Sequence, residues 1–179
     1  MTSLNRVPST DRFHLIARIV RALMLDYTLY EEVANDRVGL SQAIGIVILV
    51  GITSGMGLRP VAGTIGALIG VAVSLLGWAV LSGLTLAAGR WVLRGEPTSL
   101  RIVATCLGFA DAPALLSLLG VLPNVGVLVR VIVWFWLLAA CMVAARAAFR
   151  VSAARGAAIG GLGFAAYMLI GLGVGIWSS

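Results

Sequence analysis

Five long apolar segments fill most of the sequence between Gly39 and Trp177, and its thirteen arginines stand almost wholly in alternate gaps between them. The segments are residues 39–58, 61–89, 102–122, 125–145 and 156–177. A bilayer core about 30 Å thick needs about 20 helical residues at about 1.5 Å each, so every segment is long enough to cross it. The sequence therefore predicts an all-α polytopic membrane protein with five transmembrane helices.

The arginines also predict how these helices are oriented. Eleven of them precede the first segment or lie in the second and fourth gaps, whereas Arg59 lies on the opposite side and Arg130 falls inside the fourth segment. Because basic residues favour the cytoplasmic side, we expect a cytoplasmic amino terminus and a carboxyl terminus outside an inner (plasma) membrane. Residues 1–38 show no signal-peptide core, which agrees with that orientation. Anionic lipid headgroups account for the basic loops, so no nucleic-acid partner is expected.

Residues 1–38 are predicted to form a cytoplasmic arm ahead of a transmembrane domain, residues 39–179. The arm carries an apolar face at helical spacing, with Arg18 and Arg21 off that face. The residues of this face are Phe13, Ile16, Val20, Leu23 and Met24. Such a helix either lies in the membrane interface or packs on the inner ends of the spans or on a partner. Thr28 followed by Glu31 predicts a capping box that opens a second short helix.

Glycines recur at a spacing of four residues within the apolar segments. Helices in lipid associate through close backbone approach, which small residues at this spacing permit. The glycines indicate either internal packing of spans one, two and five or the face of a homodimer. The pairs are Gly51 with Gly55, Gly66 with Gly70, Gly156 with Gly160, and Gly171 with Gly175.

Asp111 stands near the middle of the third segment. An ionised carboxylate there costs roughly 2.5–3.5 kcal/mol on insertion scales, so it must be paired, protonated or hydrated. Pro113 interrupts the helix two residues later, and Pro123 marks a second break before span four. We expect the Asp111 carboxylate to cap the half-helix that begins after it. We also expect an ion pair with Arg130, because spans three and four are antiparallel and the two residues lie at similar depth.

The Asp111 and Arg130 pair has two interpretations. In the functional interpretation, the pair is a proton or ion relay, or a polar pocket for a lipid headgroup. In the structural interpretation, it is a helix cap and ion pair that fixes a broken hairpin. Other reactive groups are sparse: His14 is alone, and the adjacent Glu31 and Glu32 diverge on a helix. We therefore expect no catalytic residues, no metal and no cofactor.

Four short stretches carry a family resemblance, namely LDYTLYEEV at residues 25–33, SQA at 41–43, LGFADAP at 107–113 and LP at 122–123. In this order they resemble the bacterial branch of the Yip1 family, and the likeness runs from about residue 13 to about residue 175. The Gly-aromatic-Ala-x-x-Pro element is its most specific part. The resemblance implies a five-helix bundle with a cytoplasmic amino terminus.

Eukaryotic relatives in that family are linked to Rab GTPases and vesicle traffic. This chain lacks their long acidic amino-terminal region and their Asp-Leu-Tyr-Gly-Pro element, so a Rab-type GTPase partner is not carried over. The abundance of packing faces and the scarcity of reactive groups favour a non-catalytic adaptor or accessory subunit that packs against lipids and other integral membrane proteins. The alternative is a small transporter or channel that uses Asp111 and Arg130.

Overall fold

The structure is a computed structural model that describes residues 10–56, 63–93, 98–121 and 126–177. Those residues form helices joined by short connections and contain no strand, which confirms the predicted all-α class for this part of the chain. Directly after α5, the chain forms a 3-10 helix, Ala112–Val121. The α-helices are α1 (Thr10–Leu23), α2 (Tyr27–Asn35), α3 (Gly39–Met56), α4 (Thr64–Leu93), α5 (Leu100–Ala110), α6 (Gly126–Phe149) and α7 (Ala153–Trp177).

The start of α2 is fixed by Asp26. Its carboxylate accepts a hydrogen bond from the backbone N–H of Thr28 at 2.9 Å, so Asp26 is the N-cap residue. The predicted capping box at Thr28 is wrong, because Thr28 lies inside the helix and its hydroxyl donates to Asp26 at 2.7 Å. Leu25 makes the turn from α1 with a φ of 57°.

The third apolar segment is not one continuous α-helix. α5 ends at Ala110, and Pro113 lies in the 3-10 helix that follows. Proline has no N–H to donate and its ring crowds the preceding turn, so the α-helical hydrogen-bond ladder cannot pass through it. The N–H of Ala114 instead donates to the carbonyl of Asp111 at 2.9 Å, the i to i+3 bond of a 3-10 helix.

Three helices in the described residues are long and apolar enough to cross a membrane, namely Thr64–Trp91, Gly126–Phe149 and Ala153–Ile170. A fourth span is obtained if α2 and α3, which meet at an angle of 119°, are counted as one broken span. The break after Ala110 leaves α5 too short to qualify by itself. The count of five spans therefore stays a prediction.

α5 lies at the centre of the bundle. All of its residues from Val103 to Ala110 are buried, and it contacts α2, α3, α4 and α6. α3 packs along α4, and α7 packs against both α4 and α6. Leu29, Tyr30 and Val33 of α2 belong to the same apolar core as α5 and α6. One core thus continues across the predicted boundary between residues 38 and 39.

Candidate functional site

Asp111 occupies the junction between α5 and the 3-10 helix. Its backbone N–H donates to the carbonyl of Leu107 at 3.1 Å, which closes the last turn of α5. The bond from Ala114 goes to its backbone carbonyl, and no donor to the carboxylate is found within the described residues. The expected cap by the carboxylate is therefore wrong. The main chain of Asp111, rather than its carboxylate, makes the junction.

The Asp111 side chain lines a cavity of about 430 Å³ in the bundle. Residues from α3, α4, α5, α6 and α7 converge on it. Most of the wall is apolar, and four aromatic residues contribute to it. These are Trp78, Trp134, Phe164 and Tyr167. A mostly apolar cavity with a few polar groups that fix the orientation of a ligand is typical of small-molecule sites. The Asp111 carboxyl group is such a polar group here.

Two of the polar groups on the cavity wall are already satisfied by the backbone. The indole N–H of Trp78 donates to the carbonyl of Ala104 at 3.0 Å, which also ties α4 to α5. The hydroxyl of Ser74 donates to the carbonyl of Val47 at 3.1 Å and ties α4 to α3. Because these donors are occupied, neither satisfies the Asp111 carboxylate.

Arg130 does not form the predicted ion pair with Asp111: no ion pair joins these two described residues. Its side chain is exposed and lines a neighbouring pocket of about 310 Å³, which shares Trp134 and Phe164 with the Asp111 cavity. Arg130 shares a helix face with cavity residues of α6, but it precedes Cys141 of the Asp111 cavity by 11 residues, about 16 Å along the helix axis, so the two charged groups lie at different depths. An arginine so close to a helix end can extend its charged head toward the membrane surface.

The glycines of α3 and α4 allow these two helices to approach each other closely. A methyl group on Gly70 would lie 2.6 Å from Cα of Gly55, and one on Gly51 would lie 2.6 Å from Cα of Val71. A methyl group on Gly55 would collide with the backbone of Gly66. Both pairs thus face each other inside the bundle, where close backbone contact replaces side-chain packing.

α7 packs on α6 in the same way. A methyl group on Gly156 would lie 2.7 Å from Cα of Arg146, and one on Gly160 would lie 2.7 Å from Cα of Met142. Gly171 and Gly175 belong to α7, but their surroundings lie outside the described side chains. Pro123 also lies outside the described residues.

The amino-terminal arm, defined here as α1 and α2, is held together by charged side chains. Arg18 pairs with Glu32 at 2.6 Å and with Asp36 at 2.7 Å. Arg21 pairs with Asp26 and with Glu32, both at 2.8 Å. The side chains are partly exposed, so each pair by itself adds little to the stability of the arm, and the network gains from sharing Glu32.

The pKa values of two acidic groups reflect this network. Hydrogen bonds from the Thr28 hydroxyl and from Arg21 lower the pKa of Asp26 to about 2. Hydrogen bonds from Arg21 and Arg18 also lower the pKa of Glu32 below its ordinary value. Both carboxylates are therefore charged at neutral pH, and their charge favours the folded arm.

Three side chains of α6 and of the turn that follows it fasten the arm to the bundle. The indole N–H of Trp136 donates to the carbonyl of Leu23 at 3.0 Å. The guanidinium of Arg146 stacks 4.1 Å from the centre of the Tyr27 ring, within range of a cation–π interaction. Arg150 donates to the side chain of Asn35 at 2.9 Å. Sequence reasoning missed these contacts, because it used the arginines only for orientation and had no pattern to link Trp136 with the arm.

One apolar row of α1 is left uncovered by this docking. Ile16, Val20 and Met24 are 60%, 44% and 75% exposed, whereas Leu23 is half-buried against the core. Phe13 lies in α1, but its side chain is outside the described residues. The apolar face predicted for the arm is thus divided, with part of it packed on the bundle and part of it presented outward.

These features define a helical, multi-pass membrane protein. Its helices include several of membrane-spanning length, and its bundle holds a carboxyl group among apolar walls. The chain belongs to the Yip1 family, since the Yip1 domain matches residues 29–175. The match begins inside α2, in line with the inclusion of this helix in the core. No curated protein and no solved structure gives a significant match.

Proposed function

We propose that this Yip1-family chain is a non-catalytic membrane adaptor or accessory subunit that packs against other integral membrane proteins and lipids. The observation that carries the proposal is the outward apolar row of α1, Ile16, Val20 and Met24. It stands on a helix that ion pairs and the Trp136 bond hold in place. A surface fixed in this way loses little conformational entropy when a partner binds it.

The proposed occupant of this row is a helix of another membrane protein at the inner face of the bilayer. The glycine pairs of α3 and α4 face each other, and Gly156 and Gly160 pack on α6, so these positions support internal packing rather than a homodimer face. The apolar side chains exposed on α4 and α6, such as Leu68, Leu76 and Phe135, supply the surface in contact with lipid.

Purification from the native membrane in a gentle detergent tests the proposal. We expect stoichiometric co-purifying membrane proteins, and we expect Ile16→Ser with Met24→Ser to release them while the chain itself stays folded. Val127→Ser is the matched control, because Val127 is 77% exposed at the far end of α6. A homogeneous chain without co-purifying proteins, or equal release by the control, contradicts the adaptor.

The second candidate function is a small transporter or channel. The cavity that contains Asp111 favours it, because ionisable groups inside a bundle often mark substrate or ion pathways. Arg130 is exposed and lines the neighbouring pocket, so it contributes to this candidate only as a charge beside the cavity. A lone oligomer that shows pH-dependent flux in liposomes would support transport over the adaptor.

For orientation, we propose five crossings, with the amino terminus in the cytoplasm, the carboxyl terminus outside and the chain in an inner (plasma) membrane. Arg101 donates to the carbonyl of Arg37 at 3.0 Å, and Arg150 donates to Asn35. These contacts support a common side for the arm and for the two arginine-rich connections. The 11 residues of α5 and 10 of the 3-10 helix rise about 16 Å and about 20 Å, enough together for a third crossing.

A further inference from the structure

The Asp111 carboxylate differs from the described acidic side chains of the arm, each of which has a hydrogen-bond donor. Within the described side chains it has neither an ion pair nor a hydrogen-bond donor, although it lies among packed helices. Carboxylates inside a membrane bundle ordinarily pair with a cation or with backbone groups. No described residue that lines the cavity carries a positive charge. The acidic side chains that do have donors are Asp26, Glu31, Glu32 and Asp36.

The walls around this carboxylate suit a cation with an apolar body. Trp78, Trp134, Phe164 and Tyr167 line the same cavity. Faces of aromatic rings attract cations, by about 0.5–1 kcal/mol at exposed sites and about 2 kcal/mol or more in desolvated ones. The indole N–H of Trp78 is occupied by the Ala104 carbonyl. That indole therefore has no free N–H for a hydrogen-bond acceptor in the cavity, so an ammonium matches the Asp111 carboxylate and its aromatic surroundings better.

The size and depth of the cavity narrow the class of ligand. Its volume of about 430 Å³ is in the range of small-molecule sites. Asp111 follows Leu100 by 11 residues, about 16 Å along the helix and about half of a 30 Å bilayer core. Phospholipid ammonium groups lie at the membrane surface, not at this depth. A smaller amphipathic amine, whose apolar body dissolves in the bilayer, can reach it.

We propose that the Asp111 cavity is a binding site for an amphipathic organic ammonium ion. The ammonium pairs with the Asp111 carboxylate, and the apolar body packs against the aromatic side chains on the cavity wall. This inference holds for an adaptor and for a transporter alike, because it concerns binding and not movement across the membrane.

Binding of 4-phenylbutylammonium to the full chain in nanodiscs of neutral phosphatidylcholine tests this site, with 4-phenylbutanol as the uncharged analogue. Tryptophan fluorescence reports occupancy, because Trp78 and Trp134 line the cavity. We expect saturable binding of one ammonium ion per chain, at least tenfold tighter than binding of the alcohol. Equal affinities for ion and alcohol, or no saturable binding, would overturn the proposal.

Asp111→Asn keeps the size of the side chain and removes its charge, so we expect the ammonium to bind at least tenfold more weakly. Glu31→Gln is the matched control, because it removes one exposed charge outside the cavity and should change affinity less than twofold. If Asp111→Asn does not fold, Asp111→Glu should retain binding and Phe164→Leu should weaken it several-fold. Unchanged affinity in Asp111→Asn, or in Phe164→Leu where that variant is used, would falsify the site.

Discussion

The indole N–H of Trp136 donates a hydrogen bond of 3.0 Å to the carbonyl of Leu23, the last residue of α1. This bond joins the middle of α6 to a helix more than a hundred residues earlier in the chain. It also satisfies a carbonyl at a helix end, where intrahelical donors are missing. The arm is therefore attached to the bundle by a specific contact as well as by apolar packing.

Replacing Trp136 by Phe should loosen the arm. The ring is kept and the hydrogen bond is lost, so we expect a loss of about 0.5–1.5 kcal/mol in the free energy of unfolding. Trp134→Phe is the control, because the Trp134 indole has no partner within the described residues. Thermal unfolding in detergent and protease protection of residues 10–35 measure the effect. Equal losses of unfolding free energy in the two variants would show that the hydrogen bond does not stabilise the arm.

Glycine substitutions in α4 should differ sharply with position. A methyl group at Gly70 would lie 2.6 Å from Cα of Gly55, so Gly70→Ala must separate α3 from α4, and we expect a loss of about 1–3 kcal/mol. At Gly83 nothing lies within 4 Å of such a methyl group. Gly83→Ala in the same helix should therefore cause no loss. Melting temperatures in detergent compare the two, and a similar loss from both would contradict the packing of α3 on α4.

Acid should weaken the arm through Asp26. The folded-state pKa of this group is about 2, below its ordinary 3.8. A lowered pKa stabilises the fold above the ordinary value, and that stabilisation disappears as the pH falls from about 4 to about 2. Asp26→Asn keeps an N-cap oxygen without the charge, so its melting temperature should fall less than that of the wild type between pH 5 and pH 2. Parallel pH profiles for the two proteins would exclude a role for the Asp26 charge.

Substitutions at Asp111 and Arg130 should have additive effects. The two described side chains form no ion pair, and Arg130 lies about 16 Å along α6 from Cys141, which lines the Asp111 cavity. We therefore expect the losses from Asp111→Leu and Arg130→Met to sum within about 0.5 kcal/mol in the double variant. The measurement is a double-mutant cycle, in which the thermal stabilities of the wild type, the two single variants and the double variant are compared in detergent. A double variant that is more stable than either single variant would indicate a direct pair after all.

Reporter fusions should show that the two ends of α7 lie on opposite sides of the membrane. Fusions after residues 96 and 151 should activate a cytoplasmic reporter, because Arg101 at the start of α5 contacts Arg37, just after the arm, and Arg150 after α6 contacts Asn35 of the arm. Alkaline phosphatase fused after Ser179 should be active outside the cytoplasm. If the same reporter is active after residue 151 and after residue 179, α7 does not cross the membrane, and the five-span topology is contradicted.

The sequence predicted those parts of the structure that depend on local periodicity. Apolar stretches of helical length predicted the long helices, and glycines four residues apart predicted positions of close packing, because both patterns repeat along a single helix. Asp111 stood out because the cost of a carboxylate in hydrocarbon depends on its own chemistry. None of these inferences needed knowledge of which helix lies beside which.

The parts that could not be predicted depend on how the helices are placed against one another and on distant neighbours. Depth along the axis suggested that Arg130 meets Asp111, but the Asp111 cavity includes Cys141 of α6, 11 residues or about 16 Å along the axis from Arg130. The contact of Arg146 with Tyr27 joins residues far apart in the chain, and no short pattern encodes it. The N-cap of α2 was misplaced for a local reason, because Asp26 and Thr28 compete as N-cap residues two positions apart.

The position of α2 between α5 and α6 has a consequence for biosynthesis. The carbonyl of Tyr30 accepts a hydrogen bond from the thiol of Cys106, 76 residues later. The carbonyl of Leu23 accepts one from the indole N–H of Trp136, 113 residues later. At about 5–20 residues per second, residues 10–35 leave the ribosome on the order of ten seconds before these partners do. They can therefore reach their final packing only after the later helices have been made. During that interval, the apolar side chains that end in the core need the membrane surface or a chaperone to shield them.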